Sequence, residues 1–360
     1  MNFFRVLNLI QQSMKISDFH AQSLQTLMKG MVMNMQDGQR REIDYLRISI
    51  TDRCNLRCVY CMPEEGITCK NHDEILTYEE LERLCKIFAK LGVTKIKLTG
   101  GEPLIRKDCS ILVDRLKQIK GIELISITTN GVLLKNYIED LVKAGLNSVN
   151  ISLDSMSART TRIITRRSLW EDTMKGIEEA FKYPSLTVKI NCVPIKGMND
   201  ADLIKVAELA RNHVIHVRFI ELMPIGLGRE FEFRGEDDVI HLLEETLGKL
   251  TPSYEGLGNG PAHYFSVPGY KGRIGFISAR THKFCNQCNR IRLTSEGFLK
   301  TCLQYNTGCD LREMIRSSST DKEIVDAIKK AIYEKPREHH FENIDYEASV
   351  DQRKMFHIGG

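Results

Sequence analysis

Residues 45–63 read YLRISITDRCNLRCVYCMP. Over Tyr45 to Thr51 the side chains alternate as in a β-strand, and the chain then enters a loop with Cys54, Cys58 and Cys61 spaced C-x3-C-x2-C. Three thiolates in so short a loop can converge on one centre, and soft sulfur ligands select zinc, copper(I) or iron-sulfur clusters. A structural zinc site takes a fourth protein ligand. The nearest downstream histidine, His72, lies eleven residues beyond Cys61 in a polar loop, where a solitary histidine reads as a solvated surface residue. Three cysteines on a four-iron cluster leave one iron open to a small molecule, so the loop predicts chemistry rather than scaffolding.

The strand pattern returns at Lys95 to Thr99, Leu124 to Thr128, Ser148 to Ser152, Thr187 to Cys192 and His216 to Leu222, six strands with the first. Helical segments lie between them: Tyr78 to Leu91, opened by Thr77 and Glu80 at capping-box spacing, then Ser110 to Lys120, Leu133 to Ala144, Trp170 to Tyr183 and Ala201 to Arg211. This alternation predicts an α/β fold with a parallel sheet, open or curved into part of a barrel. The unusual residues cluster at carboxyl ends of strands. Gly100-Gly101-Glu102-Pro103 follows the second and Thr129-Asn130-Gly131 the third; Ser152 and Asp154 end the fourth. Lys189 and Asn191 lie on the fifth, and Arg218 and Glu221 on the sixth with Met223 beyond. Parallel sheets and barrels gather active sites at that mouth. The alternation stops near Leu227, and Glu230 to Lys335 reads as a C-terminal extension with a glycine-rich loop at Gly256 to Gly260.

The chain has 360 residues, 42% of them hydrophobic, and a net charge of +4. That suffices for one large or two ordinary domains, and implies no nucleic-acid partner. No apolar run approaches the ~20 residues of a membrane span, and Val6 to Ile10 lacks the flanks of an export signal. A cytoplasmic location follows, where the eleven cysteines stay reduced. Six fall into two groups, Cys54, Cys58, Cys61 and Cys285, Cys288, Cys302; most of Cys69, Cys85, Cys109, Cys192 and Cys309 read as small buried hydrophobes. The second group lies in FCNQCNRIRLTSEGFLKTC, residues 284–302. On spacing alone an isolated C-x2-C reads as zinc, but again the fourth ligand is missing.

C-x3-C-x2-C with Tyr60 before its last cysteine, and GGEP after the next strand, resembles the radical S-adenosylmethionine superfamily. From about Asp37 to the last residue the chain is similar to the GTP 3',8-cyclase family of molybdenum cofactor biosynthesis, in YLRISITDRC, TGGEPLIR, RFIELMPIG, the second cysteine group and the terminal Gly359-Gly360. The resemblance implies an incomplete TIM-type (βα)6 barrel with a C-terminal α+β extension closing its open side. It divides the chain into an N-terminal extension, 1–36, disordered or an upstream start, a radical barrel, 37–229, an extension with a second cluster, 230–340, and a tail, 341–360.

It also implies two [4Fe-4S] clusters, one on Cys54, Cys58 and Cys61 and one on Cys285, Cys288 and Cys302. S-adenosylmethionine would lie against Tyr60, Gly101, Ser152 and Met223, and GTP against Arg47, Lys97, Thr128, Lys189, Arg290, Ile291 and Arg292, with Lys95 and Arg218 in support. Arg290 and Arg292 take catalytic roles, and Gly359 and Gly360 reach into the site. The implied reaction begins with reductive cleavage of adenosylmethionine; the 5'-deoxyadenosyl radical takes H3' of GTP, and C3' attacks C8 to give 3',8-cyclo-7,8-dihydro-GTP. Implied partners are flavodoxin or ferredoxin as donor, the downstream cyclic pyranopterin monophosphate synthase, and a second copy in a homodimer. The chain departs from the family at Lys97, where many relatives carry the bidentate arginine fork, and at Arg166-Arg167-Ser168, which replaces a turn that often holds glycine. No Walker loop occurs, so side chains must bind the phosphates. Two other readings stay open: a radical peptide maturase with an auxiliary cluster, and a non-catalytic zinc or iron-sulfur binding module.

Overall fold

Strand, helix and loop alternate as β1 (Tyr45–Ser49), α1 (Tyr78–Lys90), β2 (Lys95–Thr99), α2 (Cys109–Lys117), β3 (Leu124–Thr129), α3 (Leu134–Lys143), β4 (Ser148–Ser152), α4 (Ala158–Thr165), α5 (Trp170–Ala180), β5 (Thr187–Cys192), α6 (Leu203–Asn212) and β6 (His216–Ile220). The computed structural model describes residues 35–254, 257–258, 260–342, 351 and 353–359. The expected N-terminal extension falls outside the described residues except for Met35 and Gln36. Met35 is buried, its carbonyl accepts the Ile43 N–H at 2.8 Å, and Gln36 bridges Glu42.

Helix α1 starts where the sequence places it, because Thr77 Oγ1 accepts the Glu80 N–H at 3.2 Å and the Glu80 carboxylate accepts the Thr77 N–H at 2.7 Å. It turns Leu81, Leu84, Ile87 and Phe88 onto the sheet. The strands pair side by side in parallel from β1 to β6. Such strands bury residues on both faces: Leu46, Ile48, Ile96, Leu98, Ile125 and Ile127 pack under the helices, while Arg47, Lys97 and Thr128 alternate to the other face.

The C-terminal third adds α7 (Glu236–Leu247), β7 (Thr251–Ser253), β8 (His263–Ser266), β9 (Arg273–Ile277), β10 (Arg290–Leu293), β11 (Phe298–Lys300), β12 (Gly308–Asp310), α8 (Leu311–Arg316), α9 (Asp321–Tyr333) and α10 (Met355–Ile358). It joins the same sheet rather than packing beside it. The order is β12-β11-β10-β1-β2-β3-β4-β5-β6-β9-β8-β7. Strand β10 pairs in parallel with β1, setting Arg292 opposite Arg47, and β9 pairs in parallel with β6. The result is an α/β fold whose large parallel sheet fits a TIM-like barrel.

Candidate active site

The three-thiol loop is held by backbone contacts on both sides. Gly101 and Glu102 donate N–H groups to the carbonyls of Thr51 (2.8 Å) and Arg53 (2.7 Å), and Arg57 and Val59 donate to Thr165 and Ile164, each at 2.9 Å. The approach at Gly101 leaves no room for a side chain: a Cβ there would stand 2.3 Å from the Arg53 carbonyl oxygen. Glu102, fully buried, accepts from the Leu104 N–H (3.0 Å), the Thr129 hydroxyl (2.7 Å) and the Asn130 N–H (2.7 Å), tying the ends of β2 and β3 together. Burial pushes its carboxyl up to about 7. The Tyr60 hydroxyl donates to Asp154 Oδ2 at 2.7 Å, which fixes the loop to the end of β4.

Cys54, Cys58 and Cys61 are free thiols half-open to one cavity of about 310 Å³. Burial pushes Cys54 up to about 11, burial and then Cys54 itself push Cys61 up to about 12, and Cys58 is raised well above the ordinary thiol range by burial and then by Cys61. Three such neighbouring thiols ionise together readily only when a bound cation, such as the iron of a cluster, offsets their charge. Leu56 N–H stands 3.4 Å and Asn130 Nδ2 4.0 Å from Cys54 Sγ, donors suited to a thiolate.

The same cavity is walled by Arg47, Lys97, Arg218, Arg290 and Arg292, with Tyr60, Gly101, Thr128, Ser152 and Met223. Arg47, Lys97 and Arg292 are neighbours across β1, β2 and β10. Burial and then the surrounding cations hold Lys97 well below the ordinary lysine range, its repellers being Arg218, Arg47, Lys189 and Arg290. Burial and then Arg47 and Arg290 do the same to Arg292. Such a set of buried like charges costs stability unless an anion enters. Arg218 donates to Asn150 Oδ1 at 2.6 Å and Asn191 Oδ1 at 2.5 Å, which aims it inward. Lys189 is capped by the Leu257 carbonyl, and burial and then Arg218 bring it down to about 8. Thr128 Oγ1 is buried without a hydrogen-bond partner among the described residues, a donor aimed at whatever fills the cavity. Lys95 instead pairs with Asp44 at 2.5 Å.

Strand β10 sets Arg290 and Arg292 on the cavity side, whereas the Ile291 side chain is buried in the core, leaving only its backbone to meet a ligand. Of the second thiol group, Cys285 and Cys288 lie just before β10 and Cys302 just after β11. Burial first, and then Cys288 and Cys302, raise Cys285, whereas Cys288 is brought down to about 6: burial opposes ionisation, but Lys335 and Arg290 outweigh it. Lys335 donates to the Arg290 carbonyl at 3.0 Å, and Arg290 Nη2 stands 3.7 Å from Cys288 Sγ. Neither thiol group has a fourth protein donor in its motif, and no three His, Cys, Asp or Glu among the described residues are gathered about a single ion. A four-iron cube spreads three cysteines over three irons, and both donor sets suit one.

The chain's end closes the cavity. Met355 and Phe356 line it, and Arg292 Nη1 donates to the Gly359 carbonyl at 2.7 Å. Gly359 has φ +83°, and a Cβ would meet Thr99 Oγ1 at 2.4 Å; Gly360 lies outside the described residues. Sequence reasoning missed Tyr45, Leu303, Met355 and Phe356 as walls, since nothing local distinguishes them from core residues.

A cysteine loop at the carboxyl mouth of a parallel sheet defines the radical S-adenosylmethionine class, and residues 48–210 match the Radical SAM superfamily model. Residues 215–341 match the Molybdenum Cofactor Synthesis C model. The chain is 44% identical over 329 residues to the GTP 3',8-cyclase of Desulforamulus reducens, covering 91% of this chain and 100% of that one. It is 46% identical over 306 residues to the GTP 3',8-cyclase of Thermodesulfovibrio yellowstonii, covering 84% and 95%. Molybdenum cofactor biosynthesis protein 1 of Dictyostelium discoideum is 43% identical over 310 residues, 85% of this chain and 49% of that one. The chain belongs to the GTP 3',8-cyclase family. Among solved structures, Streptococcus suis SuiB bound to S-adenosylmethionine shares the fold, with a TM-score of 0.57 at 17% identity over 81% of this chain and 68% of that one. No helix among the described residues is long and apolar enough to cross a membrane.

Proposed function

We infer that the protein is a GTP 3',8-cyclase, which removes H3' of GTP and joins C3' to C8 to give 3',8-cyclo-7,8-dihydro-GTP, the first step of molybdenum cofactor biosynthesis. The observation that carries this is the single cavity in which Cys54, Cys58 and Cys61 share walls with Arg47, Lys97, Arg290 and Arg292. When bound, a [4Fe-4S] cluster on Cys54, Cys58 and Cys61 with S-adenosylmethionine supplies a 5'-deoxyadenosyl radical, and a second on Cys285, Cys288 and Cys302 supplies a Lewis-acidic iron for the guanine. Tyr60, Gly101, Ser152 and Met223 hold the adenosylmethionine. Arg47, Lys97 and Lys189 hold the triphosphate, whose negative charge relieves the repulsion among them. The Thr128 hydroxyl donates to the nucleotide, and the backbone of Ile291 meets the base. Arg290 and Arg292 are the catalytic cations: they sit between the second thiol group and the cavity, fix C3' and C8 at near-attack distance and balance charge developing on the base. The Gly359 carbonyl, on Arg292, holds the tail at the reacting end.

The sheet is read as a partial (βα)6 barrel, residues 37–229, with the extension, 230–340, over its open side and the tail, 341–360, entering the mouth. Support comes from β9 and β10 pairing onto β6 and β1, the two ends of the six-strand run. A low-potential donor such as flavodoxin or ferredoxin, a downstream pyranopterin synthase, a homodimer and a cytoplasmic location complete the reading. Metal analysis of anaerobically reconstituted protein tests it. About eight irons and eight sulfides per chain are expected; one or two zincs without sulfide would favour the binding module instead.

A further inference from the structure

The loop bearing Cys54, Cys58 and Cys61 is braced from outside by α4 and the turn after it. Besides the Arg57 and Val59 contacts, Arg166 Nη1 donates to the carbonyls of Arg57 (3.3 Å) and Met62 (3.0 Å), and Arg167 Nη1 to that of Arg166 (2.8 Å). The bracing leaves a basic outer face. Arg159, Arg162 and Ile163 follow i, i+3, i+4 and so share one side of the helix, while Ile164 and Thr165 are buried and Arg166 ends the helix as a C-cap at φ +55°. Arg159 and Arg162 are exposed. Neither makes an ion pair or hydrogen bond with a described residue. The carboxylate paired on this face is Glu64, 3.9 Å from Arg166 Nε and itself largely exposed.

Neighbouring helices are built differently. Lysines on α1, α3 and α5 pair with acids one turn away: Lys86 with Glu82, Lys143 with Glu139, Lys175 with Asp172. Helix α4 carries no acid at all. Amid its arginines Ile163 is 53% exposed, one of few large apolar side chains on the described surface. An apolar centre flanked by two unpaired cations is the anatomy of a docking patch, and like-signed charge steers an oppositely charged protein to it. The net charge of the chain is only +4, so this is a local concentration and not a general property of the surface.

We propose that the face of α4 formed by Arg159, Arg162 and Ile163, with Arg166 at its C-terminal end, docks an acidic one-electron carrier protein against the first thiol loop. The proposal rests on the cyclase reading, which requires the iron-sulfur group there to be reduced from outside. One electron leaves the carrier, oxidising it by one, and one reaches the group, reducing it by one; no bond or proton changes hands in that step. Arg166 spans the contact, since its guanidinium touches the loop backbone on one side and the exposed face on the other.

The test is a binding titration of cluster-loaded protein with two acidic probes, purified flavodoxin and a bacterial ferredoxin, at low and moderate ionic strength. Arg159→Glu/Arg162→Glu should weaken the binding of at least one probe about tenfold or more at low salt and flatten its salt dependence. Ile163→Asp should weaken it with the salt dependence retained. A control with the same charge change far along the chain, Lys329→Glu/Lys330→Glu on α9, should leave affinity within twofold, and melting should be unchanged in all three. Equal affinity in the α4 variant, or equal loss in the control, overturns the proposal. Turnover driven by dithionite needs no docking and should survive Arg159→Glu/Arg162→Glu while carrier-driven turnover falls. Failure of the unmodified, loaded protein to turn over with dithionite would overturn the cyclase reading instead, and the titration decides the docking face in either case.

Discussion

Proton uptake on nucleotide binding follows from the depressed cations in and about the cavity, with Lys189, which does not line the cavity but repels Lys97 on its wall, the clearest case. Burial and Arg218 bring its ammonium down to about 8, from an ordinary 10.5. In the free protein Lys189 therefore loses its proton as pH rises through about 8, whereas a bound triphosphate favours the charged form and restores the ordinary value. Between those two values binding takes up a proton, so affinity is highest on the acid side and falls as pH rises. If the bound group titrates near 10.5, affinity falls about threefold between pH 7.5 and 8.5, and uptake rises from roughly a quarter to three quarters of a proton. Folding obeys the opposite preference: over the same window the unfolded chain binds more protons, so the free protein gains stability with pH. Calorimetric titration with GTP in two buffers of different ionisation enthalpy reads the uptake directly. Lys189→Met should bind more weakly and lose much of the pH dependence; Lys97, also depressed, supplies the remainder. Affinity that is constant across this range in the unmodified protein, or an undiminished slope in Lys189→Met, would refute the electrostatic account of the cavity.

Lys97→Met removes a buried charge that four other cations repel, so the free protein should melt higher while GTP affinity falls at least about tenfold, a trade visible by denaturation and titration. Gly101→Ala should displace the thiol loop from Arg53 and Asp52, with poor cluster loading and a lower melting temperature, since its Cβ would also stand 2.7 Å from the Asp52 carbonyl oxygen. The Lys300 ammonium is buried against Asp351, whose N–H donates to the Gln304 carbonyl at 2.8 Å, so this pair anchors the tail that carries Gly359. Asp351→Ala should cost roughly 3–5 kcal/mol in denaturant unfolding, and Lys300→Met/Asp351→Leu should recover most of it; no recovery would mean that the pair does more than balance charge.

The elements legible in the sequence were those whose causes are local. The six strands and the Thr77 capping box depend on side-chain alternation and on residues three apart, and they lie where the pattern puts them. Strand ends were less legible: β6 stops at Ile220, short of Leu222, and the Glu221 carboxylate beyond it accepts the Arg280 N–H (2.7 Å) and the Thr281 N–H (3.1 Å) from the extension. Helix α4 was missed, since SARTTRIIT offers two buried residues and β-branched, weak helix formers. Most instructive are β9 and β10, whose parallel partners lie across the length of the chain; short strands of that kind leave no local mark. The site divides along the same line. The thiol loop and the glycines beside it stand together in sequence, whereas Arg47 and Lys97 came from the family resemblance, although a charge on a strand otherwise buried on both faces is a local mark that could have found them. The Tyr60–Asp154 bond, the Asn130 contact to Cys54 and the walls from Met355 and Phe356 join residues remote in sequence. Of the five cysteines outside the two groups, most of which read as buried, Cys85, Cys109 and Cys192 are so, Cys309 is partly exposed and Cys69 is on the surface.

The central claim is that one cavity brings the radical source of the first thiol loop to C3' of a GTP held by the cations. Anaerobic turnover of the cluster-loaded protein with S-adenosylmethionine, dithionite and GTP deuterated at C3', followed by mass spectrometry of the 5'-deoxyadenosine, tests it most directly. One deuterium in the deoxyadenosine is the predicted result; deoxyadenosine formed without label would contradict the placement of GTP, and none at all would contradict the radical chemistry.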